Sequence, residues 1–328
     1  MKILVIYTGG TIGSSLQGKW VSLDSSSRQN LIGKYVSKND ENIEFDEISP
    51  FSILSENLSG ERLTQLADCV NNHLDSEYDG IIITHGTDTI QYSAAALTYL
   101  IKKREIPIVL VSSNYPLDSE KSNGNLNFEA AVAFVREKVG KGVFVSYKNS
   151  AKSTTDFHYG TRILSHPETF DDLYSLDNNP YAFYQDGNIT LNSDFYPIKE
   201  SNFLQKIDFR EDSEILVIDS HPGDSFAYDL KKFKAVIIRP YHSSTINTSN
   251  KKLIEFSQKA KELGVPIFIV NLRSEFIYET SKLFDELCLI KLPLCSFAAI
   301  YIKLWIAISC LKPIKTFMLK PLSGEFVY

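Results

Sequence analysis

Apolar residues fall in short unbroken blocks along the N-terminal part of this chain, and each block is followed by a longer stretch whose apolar positions recur at helical spacing. A continuous β-branched run is what a strand buried on both faces needs, and amphipathic stretches between such runs supply the helices that cover a parallel sheet. The pattern predicts strands at 2–7, 80–84, 106–112 and 142–147, with helices over about 63–74, 89–103 and 126–138. Ser59, Gly60, Glu61 and Arg62 open the first of these helices, and its Leu63, Leu66, Ala67 and Val70 share one face. The crossover lengths suit βαβ units.

From Asn149 to about Phe195 the rhythm gives way to Ser, Thr, Asp, Asn and Tyr, with short hairpin-like pieces around Asp186-Gly187. Residues 196–212 are charged and irregular and read as an interdomain linker. Beyond them strands are expected at 214–218, 235–239 and 266–270. A helix is expected over 250–263, with Asn247, Thr248, Ser249 and Asn250 as cap candidates and Gly264 as its terminal glycine. The expected class is α/β: a Rossmann-like parallel sheet in an N-terminal domain (1–195), the linker, and a second, smaller α/β domain (213–328).

Two of the strands end abruptly in small, hydroxylated residues. Ile3 to Gly13 reads ILVIYTGGTIG and Gly80 to Ile90 reads GIIITHGTDTI, so each brings a threonine to the carboxyl end of a strand. That is the edge at which open α/β sheets bind ligands. Gly9, Gly10 and Gly13 around Thr11 let the backbone approach a ligand and leave amide N–H groups for an anion. A threonine hydroxyl is a weak nucleophile until a neighbour takes its proton. Thr87 and Asp88 are candidates for that neighbourhood, able to hold a water or a substrate ammonium. They also suit a turn hydroxyl and an N-cap for the next helix, and for Asp88 taken alone the cap is the stronger expectation. His85, before the Gly86 turn, suits a structural hydrogen bond as well as it suits chemistry. The first loop is neither GxGxxG, because Thr8 stands two before Gly10, nor a P-loop, because no Lys-Ser or Lys-Thr pair closes it.

Composition narrows the partner. The 328 residues exceed the size at which single cores stop growing, about 250 to 300 residues. A net charge of −6 with dispersed Lys and Arg argues against nucleic acid and for a small molecule. Cys69, Cys288, Cys295 and Cys310 show no CxxC spacing and read as buried reduced thiols, and the six histidines lack metal-binding spacing. Neither a metal nor another cofactor is expected. The sequence opens on a strand-like run rather than a signal peptide, which gives a cytoplasmic expectation. Residues 292–311 have the length of a bilayer crossing, but Lys303 interrupts them, so a buried helix and no membrane association are expected.

Together the two loops resemble the L-asparaginases of the bacterial cytoplasmic, type I kind, whose signature segments read much like TGGTIG and HGTDT. Val111-Ser112-Ser113-Asn114 with Pro116-Leu117, Ser122-Asn123-Gly124 with Asn127, and Leu322-Ser323-Gly324-Glu325 resemble further segments of that family. The resemblance implies an amidohydrolase that converts L-asparagine to L-aspartate and ammonia, assembled as a homodimer or homotetramer. It implies Thr11 as nucleophile, Thr87 and Asp88 as the second hydroxyl and carboxylate, and Ser55, Glu56, Gly10 and Gly86 as substrate-binding positions.

The pattern also departs from the family. The resemblance expects a lysine beside the Thr-Asp pair, but Gly160-Thr161-Arg162-Ile163-Leu164-Ser165 places Ser165 there, with Lys152 a nearby substitute. Such an ammonium would stabilise the Asp carboxylate and set proton affinities around the threonines. Gly18-Lys19-Trp20-Val21 offers no lid tyrosine. His242-Ser243-Ser244-Thr245 and Asn271-Leu272-Arg273-Ser274 replace glycine-bearing turns. Two readings follow: an asparaginase whose missing roles are met elsewhere, or an asparaginase-like protein that binds an amino acid or modified amide with little turnover. The retained Thr11, Thr87 and Asp88 favour hydrolysis. An amidotransferase component of the same fold, releasing ammonia for tRNA-linked chemistry, ranks third. It would be expected to carry an added N-terminal domain, whereas this sequence starts at the first strand.

Overall fold

A computed structural model describes residues 1–17, 20–23, 25–39, 42–102, 105–199, 206–272 and 278–328. Gly18 and Lys19 of the lid segment, Arg273 and Ser274 of the later turn, Lys103 at an expected helix end, and 200–205 of the expected linker lie outside the described residues. The chain separates into two compact units, one built on Met1–Pro197 and the other on Ile207–Tyr328.

In the first unit the elements run β1 (Lys2–Tyr7), the hairpin β2 (Ser14–Gln17) and β3 (Trp20–Leu23), α1 (Ser25–Lys38), β4 (Glu44–Ile48), α2 (Gly60–His73) and β5 (Gly80–Thr84). They continue with α3 (Ile90–Leu100), β6 (Pro107–Val111), α4 (Gly124–Arg136), β7 (Gly142–Tyr147), β8 (Thr155–Tyr159), β9 (Ala182–Gln185) and β10 (Asn188–Leu191). The main sheet has eight strands in the order β10-β9-β8-β7-β6-β5-β1-β4. It is parallel from β4 through β7 and antiparallel beyond. The class is therefore α/β with a parallel-dominated sheet. Ile3 to Ile6, Ile81 to Ile83 and Ile108 to Val111 are fully buried. Each such side chain gains about 1.5–3 kcal/mol on burial, so the central strands are firm supports for the loops at their ends.

The elements that the apolar pattern does not announce have physical reasons for their silence. Strand β4 lies at the sheet edge with Glu44 and Glu47 exposed, so only part of it is sheltered. Strand β8 is fully buried but carries Asp156 and His158. Asp156 pairs with Lys152 and accepts from Thr154 Oγ1 at 3.0 Å, and His158 Nδ1 meets Ser175 Oγ at 2.8 Å. Burial pushes the His158 imidazole down to about 4, so it stays neutral inside the sheet.

The second unit holds a four-stranded parallel sheet of β11 (Ile215–Asp219), β12 (Ala235–Arg239), β13 (Ile267–Ile269) and β14 (Leu289–Lys291), in that order. Helix α5 (Lys251–Leu263) starts at Asn250, whose side chain accepts from Lys252 N at 2.9 Å. It ends at Gly264, in the left-handed conformation at φ 68°, as the sequence predicts. The remaining elements are β15 (Leu294–Cys295), α6 (Phe297–Ser309), α7 (Ile314–Leu319) and β16 (Phe326–Val327). The apolar segment 292–311 is thus mostly the buried helix α6, and among the described residues no helix is long and apolar enough to cross a membrane.

The stretch 196–212 is held by contacts at both ends. The Tyr196 and Pro197 carbonyls accept from the buried Arg162 guanidinium at 2.6 and 2.8 Å. Ile207 and Phe209 are buried in the second unit, where Phe209 packs on Trp305 at 4.9 Å. One expectation is corrected here: not all four thiols are buried. Cys295 is, with its thiol pushed up to about 12 by burial, whereas Cys288 is exposed.

Candidate functional site

Strands β4, β1 and β5 are neighbours, and their registers pair Ile6 with Ile48 and Ile83, and Tyr7 with Thr84. Their carboxyl ends therefore open side by side, and all candidate loops leave from that edge. The first loop is pinned on both sides. Thr8 donates to the Thr84 carbonyl through N at 3.3 Å and Oγ1 at 2.6 Å, Ile53 N donates to Thr8 O at 3.0 Å, and Gly10 N to Ile53 O at 3.0 Å. Thr11 then begins a single 3₁₀ turn, half-buried. Gly13 N at 3.0 Å and Ser14 Oγ at 2.8 Å both donate to the Gly10 carbonyl.

Glycine is needed at the crossing. Gly10 has φ 76°, and a Cβ there would lie 2.3 Å from the Gly86 nitrogen. A Cβ on Gly86 would lie 2.4 Å from that of Ser55. Gly10, Gly86 and Ser55 are thus stacked with no room for a methyl group, and Thr11 and Thr87 follow directly from the two touching glycines. Gly10→Ala is expected to destabilise the protein by about 1–3 kcal/mol from the left-handed backbone alone, and further because Gly86 must move. A denaturant melt beside Gly13→Ala, where a Cβ meets nothing within 4 Å, reads that difference. Equal midpoints for the two variants would rule out the packed crossing.

The carboxylate of Asp88 belongs to this cluster and not to a helix cap. Ser55 Oγ donates to Asp88 Oδ2 at 2.9 Å, Thr89 Oγ1 donates to the Ser55 carbonyl at 2.9 Å, and Gln91 Nε2 to the Asp88 carbonyl at 3.0 Å. Helix α3 starts only at Ile90, with Thr89 at the cap position. The cap reading of Asp88 is therefore corrected: a partner from another loop outcompetes the local turn. Ser55 is buried at the head of the 3₁₀ turn Ser55–Asn57, and Glu56, next in that turn, is exposed. His85 is held between the Gly86 carbonyl (2.9 Å from Nδ1) and Ser93 Oγ (2.8 Å from Nε2), and burial lowers its proton affinity. Both ring nitrogens are in use, so its role is structural.

Neither the position where the resemblance expects a lysine nor its nearby substitute supplies Asp88 with a cation. Ser165 is exposed, and Lys152 is committed to Asp156 four residues on, since the buried carboxylate holds the ammonium. The residue that follows Ser165 is a base, His166. Its Nδ1 lies 2.9 Å from the Asp172 carbonyl, its ring packs edge-on to Tyr147 at 5.8 Å, and its buried Nε2 has no hydrogen-bond partner. Burial lowers its proton affinity, opposed by the carbonyls of Asp172 and Thr87 and the carboxylates of Asp171 and Asp88. The sequence does carry a signal for it: a base one residue past the place where the resemblance expects an ammonium. In the second unit, Ser244 takes φ 62°, so a serine holds the left-handed position of a turn where the resemblance expects glycine. Among the described residues no group of three or more His, Cys, Asp or Glu is placed to hold a metal ion.

The family model described as Asparaginase, N-terminal matches residues 2–196. A component of the glutamyl-tRNA(Gln) amidotransferase of Sulfolobus acidocaldarius is 29% identical over 226 residues, 68% of this chain and 50% of that protein. The chain spans between 42% and 65% of the length of the curated relatives it matches. Among solved structures, the thermostable L-asparaginase from Thermococcus kodakarensis superposes with a TM-score of 0.81 at 23% identity, covering 100% of both chains. L-asparaginase I from Vibrio cholerae gives 0.80 at 23% identity, covering 100% of this chain and 99% of that one. At such identities these two likenesses speak for the fold.

Proposed function

This chain belongs to the asparaginase family, and from that premise we propose that it is an amidohydrolase that splits the side-chain amide of L-asparagine with Thr11 as nucleophile. The observation that carries the reading is the glycine crossing. Gly10 against Gly86 sets the Thr11 turn beside Thr87 and Asp88, joining from two strands what acyl transfer needs. In the proposed cycle Thr11 Oγ adds to the amide carbon while backbone N–H groups of the first loop stabilise the oxyanion. The C–N bond then breaks and the nitrogen leaves as ammonia, having gained the hydroxyl proton. Water hydrolyses the β-aspartyl ester and restores Thr11. Ser55 and Asp88, already hydrogen-bonded to each other, and the exposed Glu56 would receive the α-carboxylate and α-amino group. A homodimer or homotetramer is proposed with this activity.

A second reading is favoured by the relatives. The curated matches include components of glutamyl-tRNA(Gln) amidotransferases, so the same centre could release ammonia from an amide for a tRNA-linked acceptor. Ammonia release by the wild-type chain from L-asparagine, L-glutamine and β-aspartyl amides separates the readings. Fastest release from L-asparagine is expected. Release from glutamine alone would move the chain to the ammonia-donor reading. No release, with binding still seen by calorimetry, would leave a binding protein.

A further inference from the structure

Ser14 closes the turn that carries the nucleophile and grips both peptides that flank Thr11. Its backbone N–H donates to the Thr11 carbonyl, and its hydroxyl donates to the Gly10 carbonyl at 2.8 Å. We infer that Ser14 is a positioning residue for the amide hydrolysis: its hydroxyl holds the Gly10-Thr11 peptide so that the Thr11 N–H is aimed at the oxyanion formed on attack. The inference rests on the amidohydrolase reading, and it names the backbone donor and the side chain that reading leaves open.

Peptide planarity carries the link from Ser14 to the reacting atoms. The Gly10-Thr11 peptide is trans, so its carbonyl and its N–H point in opposite directions. The carbonyl takes two donors, Gly13 N at 3.0 Å and Ser14 Oγ at 2.8 Å, both from the turn that follows Thr11. The Thr11 N–H therefore leaves that turn on its other side, and among the described residues no acceptor takes it. The amide of an attacking residue lies close to the carbonyl oxygen under attack, and serine proteases use the nucleophile's own N–H in this way. Two hydrogen bonds on the carbonyl also polarise the peptide and strengthen its N–H as a donor.

The hydroxyl matters because a glycine precedes the nucleophile. Gly10, at φ 76° and ψ −178°, has no Cβ to restrain rotation about its own bonds, so the tilt of the peptide is set by what its carbonyl binds. The Gly10 nitrogen is fixed to Ile53 O at 3.0 Å, and Ser14 supplies the side chain that fixes the carbonyl end. A serine bonded to the carbonyl four residues back is a common local device. Here that carbonyl belongs to the peptide that ends in the nucleophile, and Ser14 is buried, so water does not replace the bond when the hydroxyl is removed.

Steady-state kinetics on L-asparagine with wild type, Ser14→Ala and Ser14→Thr test this, beside NMR spectra of protein carrying carbonyl-¹³C glycine and ¹⁵N threonine. That labelling shows the Gly-Thr peptides of the chain, Gly10-Thr11, Gly86-Thr87 and Gly160-Thr161, and the signal missing from Thr11→Ser is the first of them. Ser14→Ala is expected to lower kcat about tenfold, the rate worth of one hydrogen bond, with KM nearly unchanged because the oxyanion exists only after attack. Its Gly10-Thr11 signal should move to lower ¹³C shift, since the carbonyl has lost a donor, while the other two stay in place and show the fold intact. Ser14→Thr keeps the hydroxyl on an extended backbone that suits a β-branched residue, and should recover the signal and most of the rate. Wild-type kcat in Ser14→Ala, a loss that falls on KM, or an unmoved Gly10-Thr11 signal would overturn the inference, as would a Ser14→Thr enzyme with the signal restored and the rate still low. The spectra need no turnover, so an inactive wild type would refute the hydrolase reading while the grip of Ser14 on the peptide was still decided.

Discussion

Thr11→Ala is expected to lower ammonia release from L-asparagine by roughly 10⁴-fold or more, the scale on which enzymes lose rate when their nucleophile is removed. Binding of L-aspartate, measured by calorimetry, should change by less than about tenfold, because the cluster that would hold it is anchored elsewhere. Ser55 Oγ stays on Asp88 Oδ2 at 2.9 Å and Thr89 Oγ1 on the Ser55 carbonyl at 2.9 Å whatever residue 11 carries. The loop itself should keep its path, since Gly10 and Ser14 make its closing contacts through the backbone and the serine hydroxyl. Thr11→Ser separates nucleophile from scaffold: it retains the hydroxyl and should recover all but about 1 kcal/mol of the lost transition-state stabilisation, a deficit of about fivefold in rate. A Thr11→Ala enzyme retaining a tenth of wild-type turnover would show that another group attacks the amide.

What the sequence reveals about this site and what it hides divide along one physical line. Strands β1 and β5 announce themselves because both faces are buried, so each residue from Ile3 to Ile6 and Ile81 to Ile83 must be apolar. The threonine loops are then located by where those runs stop. Local pattern cannot say which side chain a loop residue finds across space. Asp88 reads as a cap from its neighbours in sequence, yet its carboxylate binds Ser55, thirty-three residues away. Lys152 reads as a spare cation, yet Asp156 claims it from a strand whose buried polar residues give no apolar run. Arg162 reads as one more loop cation, yet its guanidinium is buried on the Tyr196 and Pro197 carbonyls, thirty-four and thirty-five residues away. Residues whose neighbours are dictated by periodicity are legible, and residues whose neighbours are dictated by topology are not.

Breaking the ion pair between Lys303 and Glu325 is expected to cost the second unit about 3–5 kcal/mol, as removal of one partner strands the other charge in an apolar interior. Both side chains are 0% exposed, with Nζ 2.6 Å from Glu325 Oε1. Lys303 also donates to the carbonyls of Met318 at 3.0 Å and Lys320 at 2.5 Å, while Glu325 accepts from Leu322 N at 2.9 Å and Ser323 N at 2.7 Å. The pair therefore ties the middle of α6 to the chain end and satisfies four backbone groups besides itself. Burial lowers the proton affinity of Lys303 and Glu325 opposes that shift, so Glu325→Leu should leave an ammonium ready to shed its proton and take the carboxylate acceptor from Leu322 N. Many buried ion pairs can be exchanged for apolar residues at no loss, but here the Lys303→Met, Glu325→Leu double variant should stay destabilised. Leu322 N would be left buried without its carboxylate acceptor, at about 1–3 kcal/mol, and Lys303→Met removes the donor of the Met318 and Lys320 carbonyls as well. Urea unfolding of wild type, both single variants and the double variant reads the comparison. A double variant within about 1 kcal/mol of wild type would show that the backbone bonds contribute little and that packing alone closes the second unit.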